Sequence, residues 1–201
     1  MKYAIIGSGE IGTALARIFA SKKVEVAIAN TRGPQALALL TEQLGPSVVP
    51  QSVQDASGAE IIFLAVPFSN YKNVAKVGNW SGKIIVDVTN AFHVAPEELG
   101  TLFSSEVMAK AFVGARLVKA FNHLPAAGLG TNPSWERQAI FISSNDHDAS
   151  ATVAALAAHL GFAPIELGKL YKGGAAVHVV DGRPGGLLFE NLFKRGYTGI
   201  S

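Results

Sequence analysis

The sequence YAII-GSGEIG-TALARIFA, residues 3–20, decides the fold of this chain. Its first part is apolar and partly β-branched, which is typical of a buried strand, and its last part has the composition of a helix. Between them, residues 7–12 have the spacing G-x-G-x-x-G. A strand, this glycine motif and a helix, in that order, are the arrangement that a dinucleotide-binding site requires.

Each glycine of the motif has a separate task in such a site. Gly7 permits a tight turn, Gly9 lets the backbone approach a pyrophosphate, and Gly12 lets the helix pack close to the strand. The free N–H groups and the positive end of the helix dipole then face the phosphates. A plain strand-to-helix turn would also fit the glycines, but the apolar strand that follows favours a cofactor. The predicted cofactor-binding loop consists of Gly7, Ser8, Gly9, Glu10, Ile11 and Gly12.

Composition limits the class of protein. A chain of 201 residues is long enough for one sizeable α/β domain, and 49% hydrophobic with 16% charged residues is typical of a globular protein. The net charge of +2, without a run of Lys or Arg, argues against a nucleic-acid partner. Because the chain has no cysteine, disulfides, thiolate catalysis and Cys-ligated metals are excluded.

The sequence also predicts where the protein works. Met1-Lys2 leads directly into the first strand, so we expect no signal peptide. No apolar stretch approaches the roughly 20 residues of a membrane span. We therefore expect a soluble, cytoplasmic protein without a membrane partner.

Strands and helices alternate along the chain. Strands are predicted at 3–6, 24–29, 47–50, 60–66, 83–88, 115–121 and 137–143, and helices at 13–20, 33–44, 53–58 and 146–160. This alternation predicts the α/β class, with a doubly wound, mostly parallel Rossmann sheet and helices on both faces. We expect residues 1–201 to form a single dinucleotide-binding domain.

The end of the chain has a different character. Residues 163–201 are expected to form a short C-terminal extension, in which 168–186 are too glycine-rich for regular structure. Apolar residues at 187–189 and 192–193 indicate that it packs on the core or at a dimer interface.

The segment after the second strand indicates which dinucleotide binds. An NAD site usually has Asp or Glu here, for the ribose 2′-hydroxyl. This chain has Asn30, Thr31 and Arg32 instead. A hydroxyl and a guanidinium can bind the 2′-phosphate of NADP, which a carboxylate would repel. The alternative is an arginine on a surface turn without a ligand. Because Thr31 and Arg32 stand at the expected distance after the glycine motif, we favour NADP(H) as the cofactor.

Further candidate residues stand where other parallel strands end, because ligands in this fold bind at the carboxyl ends of the strands. Asn90 and Asn122 could bond a carboxamide or position the backbone, and each could equally cap the turn after its strand. The additional cofactor-binding residues predicted from these positions are Ala65, Val66, Pro67, Asn90, Ala120 and Asn122.

These segments together resemble a known family. The chain is similar to the NADPH-dependent 8-hydroxy-5-deazaflavin (coenzyme F420) reductases and to the homologous cytosolic reductase domains of six-transmembrane ferric reductases. The resemblance implies hydride transfer between NADP(H) and a flavin or deazaflavin acceptor. It also favours a homodimer. The matching segments are Ile6–Gly12, Asn30–Arg32, Ala65–Pro67, Asp87–Asn90 and Val118–Asn122.

Hydride transfer between two rings needs little acid–base assistance, which fits the shortage of evident catalytic residues. His123 is the candidate proton donor, and its alternative role is a local hydrogen bond that shapes the pocket. No metal site is expected from the histidines. Two other functions remain open: reduction of a small carbonyl or imine, with His123 as the acid, and a non-catalytic NADP(H)-sensing module.

Overall fold

The computed structural model describes residues 1–92, 94–130 and 137–177. In these residues, eight strands form one sheet with the order β3-β2-β1-β4-β5-β6-β7-β8. The strands are β1 (Tyr3–Ile6), β2 (Val26–Ala29), β3 (Val48–Gln51), β4 (Ile61–Leu64), β5 (Ile84–Asp87), β6 (Arg116–Ala120), β7 (Ala139–Ser144) and β8 (Ala163–Glu166).

Helices connect the strands and cover both faces of the sheet. They are α1 (Glu10–Ser21), α2 (Ala38–Leu44), α3 (Val53–Ala56), α4 (Tyr71–Ala75), α5 (Pro96–Leu99), α6 (Ser104–Ala111) and α7 (His147–His159). Short 3-10 helices occupy Pro34–Leu37, Phe68–Asn70 and Ala126–Gly128, and a π-helical turn occupies Leu170–Gly174. Among the helices of the described ranges, none combines the length and the apolar character that crossing a bilayer demands.

The order of the strands defines a doubly wound sheet. From β1 the chain runs outward to β2 and β3, and then returns to β4 on the other side of β1. All neighbouring strands are parallel except β6 and β7, which are antiparallel. The predicted fold is therefore confirmed. The reversal of direction between β1 and β4 opens a crevice at the carboxyl ends of the strands, where such folds bind ligands.

A run of five aromatic rings crosses one face of the sheet. Neighbouring ring centroids lie 5.5–5.7 Å apart, at tilted or edge-to-face angles that aromatic pairs favour. Phe121, at the end of β6, belongs to this run although its φ of +63° lies in the left-handed region. The five rings, in order, are Tyr3, Phe19, Phe63, Phe121 and Phe162.

Some elements differ from the sequence-based expectation. The helix predicted at 33–44 consists of two pieces, the 3-10 helix that ends at Leu37 and the α-helix α2 that follows it. The sequence did not reveal α4, α5 and α6, which are too short to show a helical period. The expectation of no regular structure from residue 168 onward is wrong for Leu170–Gly174, which is helical.

Only part of the predicted C-terminal extension is described. Its first residues form β8, which pairs with β7, and Leu170 and Val177 are buried. Residues 178–201 lie outside the described residues, including the apolar segments 187–189 and 192–193 on which the dimer expectation rests. The homodimer and the arrangement of this segment therefore stay predictions.

We expect two leucines on helices to differ sharply in their contribution to stability. Leu15 on α1 is 0% exposed, whereas Leu39 on α2 is 76% exposed. Leu15→Ala should lower the free energy of unfolding by about 2–5 kcal/mol, because it leaves a cavity in the core. The control Leu39→Ala should change it by less than about 0.5 kcal/mol. Urea denaturation of both variants measures the difference, and equal losses would contradict the assigned packing.

Candidate functional site

Two glycines of the loop let three elements meet backbone to backbone. Gly7 has a φ of +116°, and its N–H donates a hydrogen bond to the carbonyl of Ala29 at 2.8 Å. A Cβ atom on Gly7 would overlap the carbonyl of Ala65, and one on Gly12 would overlap the carbonyl of Gly7. These two glycines are therefore required by the packing of β1, α1 and the end of β4.

Gly9 has a different environment from the other two glycines. It precedes the first residue of α1, and a Cβ atom placed on it would have no neighbour within 4 Å. The first N–H groups of a helix have no acceptor within the helix, and they carry the positive end of its dipole. The space in front of Gly9 is therefore open and suited to an anion such as a pyrophosphate.

Asn30 connects this loop to the turn after β2. Its side-chain amide donates to Oγ of Ser8 at 2.9 Å, and its Oδ1 accepts the backbone N–H of Arg32 at 2.9 Å. Thr31 and Arg32 are exposed. Asn30 thus fixes the position of the Thr31–Arg32 segment relative to the glycine loop.

A groove of about 690 Å³ lies beside the loop at the carboxyl ends of the strands. Its walls include residues from the glycine loop, Asn30, Thr31 and Ala65–Pro67. Arg32 is not a wall residue, but it lies between two of them, Thr31 and Gly33. The predicted residues after β1, β2 and β4 therefore converge on one groove.

Other residues of this larger groove were missed in the sequence. Ser52 and Val53 follow the end of β3, so the rule on carboxyl ends could have identified them. Asn70, Asn73 and Val74 come from the short helical segments after β4, which gave no sequence signal.

A second, smaller groove of about 270 Å³ lies on the other side of the loop. It shares Gly9 and Ala65–Pro67 with the larger groove, and its remaining walls include Val88–Asn90 and the half-exposed Phe92. The glycine loop therefore lies where two grooves meet, and Asn90 belongs to the smaller one.

Asn90 and Asn122 form a pair that joins the ends of β5 and β6. The Asn90 amide donates to the backbone carbonyl of Asn122 at 2.8 Å. The Asn122 amide donates to Oδ1 of Asn90 at 3.0 Å and to the carbonyl of Val177 at 2.7 Å. Because backbone carbonyls only accept, these bonds fix the orientation of both amides. The pair positions backbone, which is one of the roles that the sequence left open.

Two further predicted cofactor residues lie away from both grooves. Ala120, the last residue of β6, is buried, and Asn122 is 4% exposed; neither is a wall residue of the two grooves. Within the described ranges, Oδ1 of Asn122 has no hydrogen-bond partner. Their direct contact with a cofactor stays a prediction.

The His123 side chain contacts residues of β7. Its Nε2 lies 3.1 Å from the carbonyl oxygen of Ala139, and its ring packs on Phe141 with the centroids 4.8 Å apart. Burial lowers the pKa of His123, which favours the neutral ring. A neutral ring that donates from Nε2 to a carbonyl has no proton on Nδ1. This geometry supplies the local hydrogen bond that was the alternative role, and proton donation by His123 stays a prediction.

A buried charged pair lies beneath the smaller groove. Nζ of Lys119, in β6, is 3.0 Å from Oδ2 of Asp87, in β5. Burial lowers the pKa of Lys119, and the neighbouring Asp87 acts in the opposite direction. In the part of the chain that the structure describes, no three His, Asp or Glu side chains converge on a possible metal site.

Comparisons with known proteins agree with this geometry. The sequence model of one family, described as NADP oxidoreductase coenzyme F420-dependent, matches residues 2–91. A solved structure of a hypothetical protein, SMa0349, from Sinorhizobium meliloti is 39% identical, with a TM-score of 0.84 and 92% of each chain covered. A structure from Arthrobacter sp. FB24, described as a candidate F420-dependent NADP-reductase, is 27% identical, with a TM-score of 0.73, covering 99% of this chain and 95% of that one.

A curated relative extends the comparison to larger proteins. The metalloreductase STEAP3 of Rattus norvegicus is 30% identical over 176 residues, which are 84% of this chain and 34% of the relative. The chain thus spans about a third of the length of that metalloreductase. Together with the glycine loop and the two grooves, these matches confirm the family resemblance of the sequence. Residues 2–91 carry the match to the family described as NADP oxidoreductase, coenzyme F420-dependent.

Proposed function

We propose that this chain binds NADP(H) at the glycine loop and transfers a hydride between NADP(H) and a flavin or deazaflavin acceptor. The observation that carries the proposal is the open space at Gly9, where the grooves of about 690 Å³ and 270 Å³ meet. A dinucleotide has two ends joined by a pyrophosphate, so this arrangement suits its shape and charge.

Each part of the site has a role in this proposal. The loop 7–12 and the first N–H groups of α1 hold the pyrophosphate. The larger groove takes the adenosine half, with the Thr31 hydroxyl and the Arg32 guanidinium on the 2′-phosphate. The smaller groove, beside Ala65–Pro67 and Val88–Asn90, takes the nicotinamide half.

The protein's part in the reaction is positional. When bound, NADPH supplies the hydride, and the walls of the smaller groove orient the ring and exclude water from it. Phe92 is half-exposed at this groove and offers a flat apolar surface to an aromatic acceptor. The Arthrobacter relative, described as a candidate F420-dependent NADP-reductase, supports the class of acceptor. We further propose that the enzyme is a cytoplasmic homodimer.

The acceptor is tested directly with the whole chain. NADPH oxidation is followed at its absorbance maximum, with FMN, FAD, coenzyme F420 and a small imine or ketone supplied one at a time, and NADH in parallel. We expect turnover with a flavin or deazaflavin, and a preference for NADPH over NADH. Turnover only with the imine or ketone would favour the small-substrate function. NADPH binding without oxidation by any acceptor would favour the sensing function.

We expect Arg32 to determine the preference for NADP(H). Arg32→Ala removes a charge-assisted hydrogen bond to the 2′-phosphate, which is worth about 1.5–3 kcal/mol, or roughly a 10- to 150-fold loss in NADPH affinity. NADH affinity should stay within about threefold, because NADH has no 2′-phosphate. Isothermal titration calorimetry measures both. The control is Arg116→Ala, at the amino end of β6 and so away from the carboxyl ends of the strands, and an equal loss in both variants would contradict the assignment.

We expect Gly9→Ala to separate binding from folding. A methyl group on Gly9 meets no protein atom and needs no positive φ, so the melting temperature should stay close to that of the natural chain. The methyl group should block the pyrophosphate and reduce NADP(H) affinity at least about tenfold. Gly12→Ala is the contrast, because its methyl group overlaps the backbone and should destabilise the fold. Unchanged NADP(H) affinity in Gly9→Ala would contradict the proposed site.

A further inference from the structure

Asp87 and Lys119 form a charged pair that the proposed reaction does not use. The register pairs them across β5 and β6, and their side chains are 0% and 1% exposed. Asp87 ends its strand, and Lys119 is the penultimate residue of its own. Removing two charges from water is costly, and replacing such a pair by apolar residues is often neutral or stabilising. Stability alone therefore gives a weak reason for this pair.

The hydrogen bonds of the pair converge on one residue, Thr89. Oδ1 of Asp87 accepts the backbone N–H of Thr89 at 2.9 Å and its hydroxyl at 2.7 Å. Nζ of Lys119 donates to Oδ2 of Asp87 and to the backbone carbonyl of Thr89. The N–H, the carbonyl and the hydroxyl of Thr89 are thus all bound by the two charged side chains.

Thr89 is a wall residue of the smaller groove, with its neighbours Val88 and Asn90. None of these three residues is a wall residue of the larger groove. The charged pair therefore bonds to a wall residue of the smaller groove and to none of the larger groove.

We propose that Asp87 and Lys119 are positioning residues that hold the Val88–Asn90 segment in the shape that receives the nicotinamide half of the dinucleotide. This inference rests on the proposed NADP(H) site. Charge-assisted bonds to all three polar groups of Thr89 restrict that residue more than a single neutral hydrogen bond would. A groove wall that is already ordered in this way binds the ring without the entropic cost of ordering the Val88–Asn90 segment.

The test compares a ligand that fills one groove with a ligand that fills both. Adenosine 2′,5′-bisphosphate carries the adenosine half and the 2′-phosphate without nicotinamide, and NADP⁺ carries both halves. The main variant is Asp87→Leu with Lys119→Met, which removes both charges at similar volume. We expect its affinity for adenosine 2′,5′-bisphosphate to stay within about twofold and its affinity for NADP⁺ to fall at least tenfold, by isothermal titration calorimetry.

A milder pair of variants keeps the inference testable if the double variant does not fold. Thr89→Val removes only the hydroxyl that donates to Asp87, and Thr89→Ser retains it. We expect Thr89→Val to lower the affinity for NADP⁺ but not the affinity for adenosine 2′,5′-bisphosphate. Thr89→Ser should restore the affinity for NADP⁺. The matched control is Ser144→Ala, which removes a buried hydrogen bond to the carbonyl of Leu117 and should leave both affinities unchanged.

The outcomes distinguish the inference from the proposed function. If the variants lose affinity for both ligands by the same factor, or for neither, the selective positioning role is overturned. If the natural chain binds neither adenosine 2′,5′-bisphosphate nor NADP⁺, the proposed function itself fails and the inference fails with it. Selective loss of NADP⁺ in Thr89→Val, restored in Thr89→Ser, supports both.

Discussion

The structure depends on one close approach of backbones, at the point where β1 turns into α1. Gly7 and Gly12 leave no room for a side chain against the carbonyls of Ala65 and Gly7 itself. This contact brings the amino end of α1 to the carboxyl ends of β1 and β4. Because both grooves are lined by loop residues and by Ala65–Pro67, this contact shapes a wall of each groove. The fold and the candidate site therefore have the same origin.

Around this contact, pairs of polar side chains hold the strand ends in position. Asn30 ties the turn after β2 to Ser8, Asn90 ties the turn after β5 to Asn122, and Asp87 with Lys119 holds Thr89. These side chains sit where a parallel sheet ends and its ladder of backbone hydrogen bonds stops. Their amides and charged groups supply hydrogen bonds to the chain beyond the end of this ladder. The glycine loop and the exposed Thr31–Arg32 segment remain available to a ligand.

Sequence reasoning succeeded where the physical signal is local. The parallel strands β1, β2 and β4 are uninterrupted apolar runs, and the glycine spacing marks the loop. The signal failed where the outcome depends on distant partners. The direction of β7 is set by its pairing with β6, and the amides of Asn90 and Asn122 are committed to each other across 32 positions of the chain. The burial of Lys119 was equally hidden, because a lysine in a strand gives no sign of an aspartate opposite.

Phe121 shows how a requirement of the core reaches the candidate site. Its ring stands between Phe63 and Phe162, so the core requires a large aromatic side chain at this position. Its φ of +63° is a backbone conformation that glycine or asparagine would adopt more readily. A residue that relieved the backbone would empty the core, and one that filled the core would keep the strain. Position 121 thus has to satisfy both the core and the backbone, and together they fix the direction in which the chain leaves β6 toward Asn122.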